Sequence, residues 1–295
     1  MIPKKENSFL VVAIAILSTV ASSIGILSSS KVDVRQFQSI HGRVINIYGK
    51  GIYKYMSADV AIQGIAQDYV TLFVGVPLLM ISLFFYQKGS LKSCFVLSGV
   101  LGYFLVTYLF YTAMGMYNEL FLVYTALLGL SFFALLVTLF SLKHQDIANR
   151  FSSSTPTKTV SLFLITNSIL IGVMWLSLIV PPLFDGTVYP QALQHYTTLI
   201  VQGFDLGLLL PLSFISGVFL LRKKDIGYVA STTYIIFLSV LMTALTAKVL
   251  AMKLNEVEVV PAIFIIPTLN IISIILSFSM VRSIERPSLV STETH

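Results

Sequence analysis

Apolar residues in this chain come in long unbroken blocks, not in the two-residue alternation of strands or the narrow stripe of a soluble helix. Charge-free runs lie between Glu6 and Lys31, Asp68 and Lys88, Lys92 and Glu119, Glu119 and Lys143, Lys158 and Asp185, Asp225 and Lys248, and Glu258 and Arg282. None is shorter than the ~18 residues that cross a bilayer as a helix. An eighth block, near 196–221, is interrupted only by Asp205. Closed barrels use shorter alternating segments, so continuous apolar text predicts helices. The predicted fold is an all-α membrane protein, a polytopic bundle of eight transmembrane helices in a single integral membrane domain. Its spans fall near 8–28, 69–87, 93–114, 120–142, 159–182, 196–221, 227–250 and 259–281, with 29–56 an extracytoplasmic loop.

Composition agrees with the blocks. Of 295 residues, 56% are hydrophobic and 11% charged, with a mean hydropathy of +0.88; soluble domains carry roughly 25% charged residues. The partner this implies is the lipid bilayer. The net charge of +6 sits mostly in short loops beside spans, which marks orientation rather than nucleic-acid binding. Most of the 19 Lys and Arg residues fall in the loops on the N-terminal side, which predicts both termini in the cytoplasm. The basic first loop (Lys31, Arg35, Arg43, Lys50, Lys54) runs against that bias. Span one also has the outline of a signal peptide, with Lys4-Lys5, an apolar core and small residues around Ala21-Ser22-Ser23. Its length favours an uncleaved anchor.

Spans two and six share local text. Pro77-Leu-Leu-Met-Ile-Ser82 matches Pro211-Leu-Ser-Phe-Ile-Ser216, and both helices end in a basic turn. The match sets Asp68 against Gln202 and Thr71 against Asp205. Spans one to four and five to eight then read as two parallel repeats, a design many transporters use. Chance likeness between apolar helices is the alternative.

Asp205 is the leading candidate site residue, because an ionisable group inside a span is costly and usually functional. From Pro190 a helix would carry Gln191, Gln194, His195, Thr198, Gln202 and Asp205 on one inward stripe. Gly203 and Gly207 flank the acid as a small-residue pair that admits a neighbouring helix. Pro211 leaves the Gly207 carbonyl without its helical donor. In span two, Ser57 suits a helix cap, and Asp59, Gln63, Gln67 and Thr71 follow at four-residue spacing, with Asp68 beside them. The stretch Ser57–Gln67 reads as an interfacial helix or as a vestibule wall, and Asp68 as either a site residue or a solvated helix end. Lys248 reads as a headgroup-snorkelling lysine or as a partner of Asp68 or Asp205. Together these predict that spans two and six are neighbours sharing an outward-open cavity. Tyr117 and Asn118 read as turn formers, Asn167 and Asn270 as interhelical hydrogen-bonding residues.

No metal or cofactor is predicted. His41, His144, His195 and His295 lack ligand spacing, and no phosphate-binding glycine loop or catalytic motif is present. The single Cys94 excludes an intrachain disulfide and reads as a packing residue.

Gln67-Asp-Tyr-Val-Thr-Leu72, Tyr117-Asn-Glu-Leu-Phe-Leu-Val-Tyr124, and His195-Tyr-Thr-Thr198 with Asp205-Leu-Gly207 resemble a family of multi-pass membrane proteins of bacteria and archaea. The resemblance runs from about Gly51 onward. It implies a prokaryotic cytoplasmic-membrane setting and brings no activity or site residue with it.

Three functions fit these residues. The first is a small-solute or ion transporter, with proton coupling through Asp205. The second is a non-catalytic sensor or assembly factor that reads its ligand through the Ser29–Met56 loop. The third is an outer-leaflet enzyme acting on a lipid-linked substrate, with His195 or Asp68 as base and Asp205 as supporting acid.

Overall fold

The computed structural model describes residues 4–32, 35–142, 146–187 and 189–285. Lys143, His144, Arg286 and His295 lie outside the described residues. Eight described helices are long and apolar enough to span a membrane: α1 (Lys4–Leu27), α2 (Ala58–Gln87), α3 (Leu91–Ala113), α4 (Phe121–Phe140), α5 (Thr157–Phe184), α6 (Ile200–Leu221), α7 (Asp225–Leu254) and α8 (Ala262–Arg282). The protein is a polytopic all-α membrane protein. Among the described residues the loops add short 3-10 turns and a hairpin, β1 (Gln36–Gln38) paired with β2 (Val44–Asn46), with Phe37 opposite Ile45.

The bundle is built on two central helices. The most apolar window of α3 is 72% buried, against 17% for α5, so α3 is interior while α5 faces lipid. α3 packs lengthwise on α7. The approach is closest at Gly99, where a Cβ would collide with Ile236 and reach the Phe237 backbone; small residues let membrane helices pack this closely. α7 also packs against α2, α6 and α8, and α1 against α2 and α4. Phe73, Phe84, Phe133, Leu170 and Phe278 point outward, as side chains in contact with acyl chains should.

Because α7 lies between them, α2 and α6 are not the neighbours the sequence predicted. Two boundaries also differ. Ser57–Gln67 does not form a separate helix: α2 runs on from Ala58 to Gln87, with Gln67 and Asp68 buried. The stripe from Pro190 is not one helix: Gln191–Leu193 forms a single 3-10 turn, Gln194 takes φ 51°, and α6 starts only at Ile200.

The shared text of α2 and α6 corresponds to a shared backbone. In α2 an α-helical stretch ending at Val70 passes into a π-helical turn, Thr71–Gly75, and back to α-helix at Val76. In α6 the same sequence of conformations is Phe204, then Asp205–Leu209, then Leu210. The Val76 amide donates to the Thr71 carbonyl and the Leu210 amide to the Asp205 carbonyl, five residues back in each case. Pro77 and Pro211 follow directly. A proline has no amide hydrogen and its ring clashes with the carbonyl four residues earlier, and a wide π-turn relieves both problems. The correspondence runs on at constant offset through Lys88 and Arg222 to left-handed residues, Gly89 (φ 82°) and Lys223 (φ 53°), and to the starts of α3 and α7 at Leu91 and Asp225.

One end of the bundle carries the hairpin and a folded cap. Its long loops interlock: the His41 ring stacks on Tyr189 with centroids 3.6 Å apart, and Arg43 donates to the Tyr189 carbonyl. Gln194 donates to Asp59 at 2.8 Å. Lys54 bonds Glu119 at 2.8 Å, which holds the Glu119 carboxyl below and the Lys54 ammonium above their ordinary ranges. At the other end, the Ala148 amide donates to Asp225 and the Glu285 amide to the Arg150 carbonyl, closing the halves together.

Candidate functional site

More than three residues from either end of a spanning helix, the charged residues among those described are Asp68 on α2, Asp205 on α6 and Lys248 on α7. Lys248 is within electrostatic reach of both carboxylates, without a direct ion pair to either among the described residues. Lys248 is half-buried, and α7, which carries it, packs against both α2 and α6.

Asp68 is only 2% exposed, which overturns its reading as a solvated helix end. Tyr53 donates to Oδ2 at 2.5 Å, and Tyr111 donates to Oδ1 and to the Gly64 carbonyl, both at 3.0 Å. Tyr53 comes from the turn before α2, where burial and then the Asp68 charge push its phenol well above the ordinary value, keeping it a donor. On the opposite side is α1. A Cβ at Gly25 would overlap the Asp68 carboxylate, so a glycine is what lets α1 lie against it.

The rest of this face of α2 zips onto α3. Gln67 donates to Tyr103 (2.8 Å) and Thr107 (3.0 Å), and the Thr71 and Tyr103 hydroxyls share a 2.8 Å bond. Tyr103, Thr107 and Tyr111 recur at four-residue spacing, so they form one stripe on α3. The Gln67 carbonyl oxygen and the Tyr108 and Tyr124 hydroxyls are buried nearby without a hydrogen-bond partner among the described residues.

Asp205 is in a different setting. It begins the π-turn of α6, is half-buried, and takes one hydrogen bond, from Trp175 Nε1 on α5 to Oδ2 at 2.8 Å. Gln202, one turn earlier, is 9% exposed. Below them Tyr234 of α7 donates to the Leu209 carbonyl at 2.9 Å, satisfying an acceptor in the broken turn. Gly203 and Gly207 do not receive a helix: both are exposed, with nothing near where a Cβ would stand.

α7 thus packs against both the helix that carries Asp68 and the one that carries Gln202 and Asp205, while α2 and α6 have no comparable contact with each other. His195 and Thr198 belong to the cap. His195 Nε2 lies 3.3 Å from the Tyr55 carbonyl and its ring packs near Phe37, while Thr198 is exposed. Asn118 accepts from the Leu120 amide, Cys94 is buried, and Asn270 accepts from Thr243 of α7, as expected. Sequence reasoning missed Tyr53, Tyr111, Trp175 and Gly25. The α3 hydroxyl stripe was a readable signal for Tyr111; no spacing rule points to the other three. No group of three or more metal-ligating side chains occurs among the described residues.

No protein-family model, curated protein or solved structure matches the chain.

Proposed function

We propose that this protein is a small-solute or ion transporter of a prokaryotic cytoplasmic membrane, with its site on the faces of α2 and α6 on either side of α7. One observation carries the reading: α2 and α6 each pass through a π-turn and a proline at matching positions, with Asp68 just before one turn and Asp205 starting the other, and both pack on α7, which carries the half-buried Lys248. Charges in membrane spans are expensive and cluster on substrate and proton pathways. Interrupted helices in corresponding places of two halves are the pattern of carrier binding sites. The π-turns give α2 and α6 local joints at the depth of the charges, where each helix can flex without losing its backbone bonds.

Reconstitution tests this. Proteoliposomes carrying the protein should show protein-dependent uptake or charge movement for at least one member of a panel of sugars, amines, organic acids, amino acids and inorganic ions, tried with and without a pH gradient. Lys248→Gln and Asp205→Asn should abolish the flux in protein that still folds. Absence of flux across the whole panel, from intact wild-type protein, would reject transport.

The sensor reading has one observation of its own: a groove of about 420 Å³ beside the cap, lined by Lys54, Tyr55, Tyr117, Glu119 and Leu122. The same reconstitution separates the two readings, because a sensor moves no solute.

A further inference from the structure

The groove of about 420 Å³ at the hairpin end lies between the turn that precedes α2 and the turn that precedes α4. Lys54 and Glu119 meet in it, with Nζ 2.8 Å from Oε1. Backbone contacts fix both partners. The Lys54 carbonyl accepts from the Gly49 amide, and Glu119 stands in a turn that Asn118 closes through the Met116 carbonyl and the Leu120 amide. Three rings flank the pair: Tyr55, whose centroid is 5.6 Å from the ammonium, and Tyr117 and Phe121, whose centroids are 5.4 Å apart. Tyr55, Tyr117 and Glu119 are exposed, so the groove is open to a ligand. Its lip toward the span is Leu122, the second residue of α4 and 76% exposed. From Leu122 the outward face of α4 runs on through Ala126 to Phe133, at spacings of four and seven that keep all three on one side. A charged, ring-lined groove thus opens directly onto an apolar, outward helix face at the edge of a span.

We propose that this groove seats the headgroup of a phosphoethanolamine lipid, its phosphate on Lys54, its ammonium on Glu119 and its acyl chains along the outward face of α4. A lipid seat goes beyond the transport reading and does not rest on it. Lys54 has three hydrogens and gives one to Glu119, which leaves two for phosphate oxygens. Glu119 only accepts, so it suits an ammonium with hydrogens to give, and each contact is a charge-assisted hydrogen bond. The face of the Tyr117 ring adds a cation–π contact. Charge selects further, because Lys54 and Glu119 are the charged residues of the lining. A zwitterionic headgroup compensates both, whereas an anionic one sets its phosphate beside Glu119 with no cation of its own. A quaternary ammonium has no hydrogens for the carboxylate. Glycerophosphoethanolamine in solution has the same charges as the lipid, but nothing to lay against the apolar face that starts at Leu122. Tyrosines and a lysine at the end of a span also match the residues that membrane proteins place at headgroup depth. The lipid is therefore the better occupant.

Full-length protein in detergent, titrated with dihexanoyl lipids that differ only in headgroup, tests the seat through lipid-dependent melting. The phosphoethanolamine lipid should raise Tm saturably. Its phosphocholine and phosphoglycerol counterparts should need about ten times more for the same rise, the effect of losing one charge-assisted contact. Glycerophosphoethanolamine, without chains, should need about ten times more or beyond, through lost apolar burial. Lys54→Gln and Glu119→Gln should each weaken the response to the phosphoethanolamine lipid about ten-fold. Lys54→Arg, which keeps a donor for phosphate, should retain it. Lys253→Gln, which removes an exposed charge at the same end of the bundle, should leave it unchanged. Should a groove variant fail to fold, the ranking of headgroups on the wild-type protein decides alone. Equal responses to the three lipids, or responses indifferent to both Lys54→Gln and Glu119→Gln, would overturn the headgroup assignment. Glycerophosphoethanolamine acting as strongly as the lipid would overturn the lipid source and leave a soluble ligand in its place. Uptake in proteoliposomes is read separately, so failure of transport and failure of the lipid seat are distinguishable.

Discussion

At the scale of single residues, Asp68 is tolerable inside the bundle because three neighbours make room for it and saturate it. Tyr53 and Tyr111 supply hydrogens, and Gly25 supplies space. Gly25→Ala should therefore push the carboxylate off its phenols. Overpacking of this kind costs about 1–3 kcal/mol, so the variant should melt measurably below wild type. Wild-type melting of Gly25→Ala would mean that α1 does not lie where described. Asp205 was legible in the sequence as an acid in a span, and Lys248 as one of two rival readings. Their surroundings were not legible. Trp175 meets Asp205, and Tyr53 meets Asp68, through contacts between separate segments that leave no periodic trace along the chain.

At the scale of elements, the repeated joint in α2 and α6 is the main finding. Pro77 and Pro211 gave the clue in the sequence, but the π-turns preceding them, and their exact phase relation, appear only in the backbone. One member of the repeated unit is strained. Lys223 holds the left-handed conformation that glycine fills at position 89, and such a backbone costs an L-residue roughly 1–2 kcal/mol. Lys223→Gly should raise stability by about 1 kcal/mol or less once the extra freedom of the unfolded glycine is subtracted. Gly89→Ala should lower it by a similar amount or more. Thermal melting of both variants checks the pair, and a destabilised Lys223→Gly would show that the turn is held by the lysine side chain instead. The start of α6 was misread for a local reason. Polar residues at helical spacing after Pro190 look like a helix face, but in the folded protein they bond across to Asp59 and Tyr55 of the cap instead.

At the scale of the molecule, the eight spans among the described residues put the start of α1 and the end of α8 on one side, and the loop charges are the ground for expecting that side to be cytoplasmic. Cysteine labelling tests the assignment cleanly, because the single native cysteine is buried. Gln191 and Ser153 are exposed at opposite ends of the bundle. In intact cells an impermeant thiol reagent should modify Gln191→Cys and spare Ser153→Cys; the reverse pattern would invert the topology. The number of spans was legible because each one is a block of apolar text. Which spans touch was not, since short loops constrain only consecutive helices. α2 and α6 accordingly seemed to be partners by likeness, when each is instead a partner of α7.

The repeated joint also bears on what a single chain can do that a pair of identical chains cannot. Were each half a separate protomer in a two-fold dimer, every side chain would appear twice at mirrored stations. Thr71 and Asp205 occupy the same station in the two halves, and Lys248 stands in register with Met114 at the end of α3. A symmetric pair would have to bury two lysines or none. Joining the halves in one polypeptide lets a hydroxyl begin one joint and a carboxylate the other, with a single lysine on the helix that both pack against, an asymmetry that a symmetric pair would forbid.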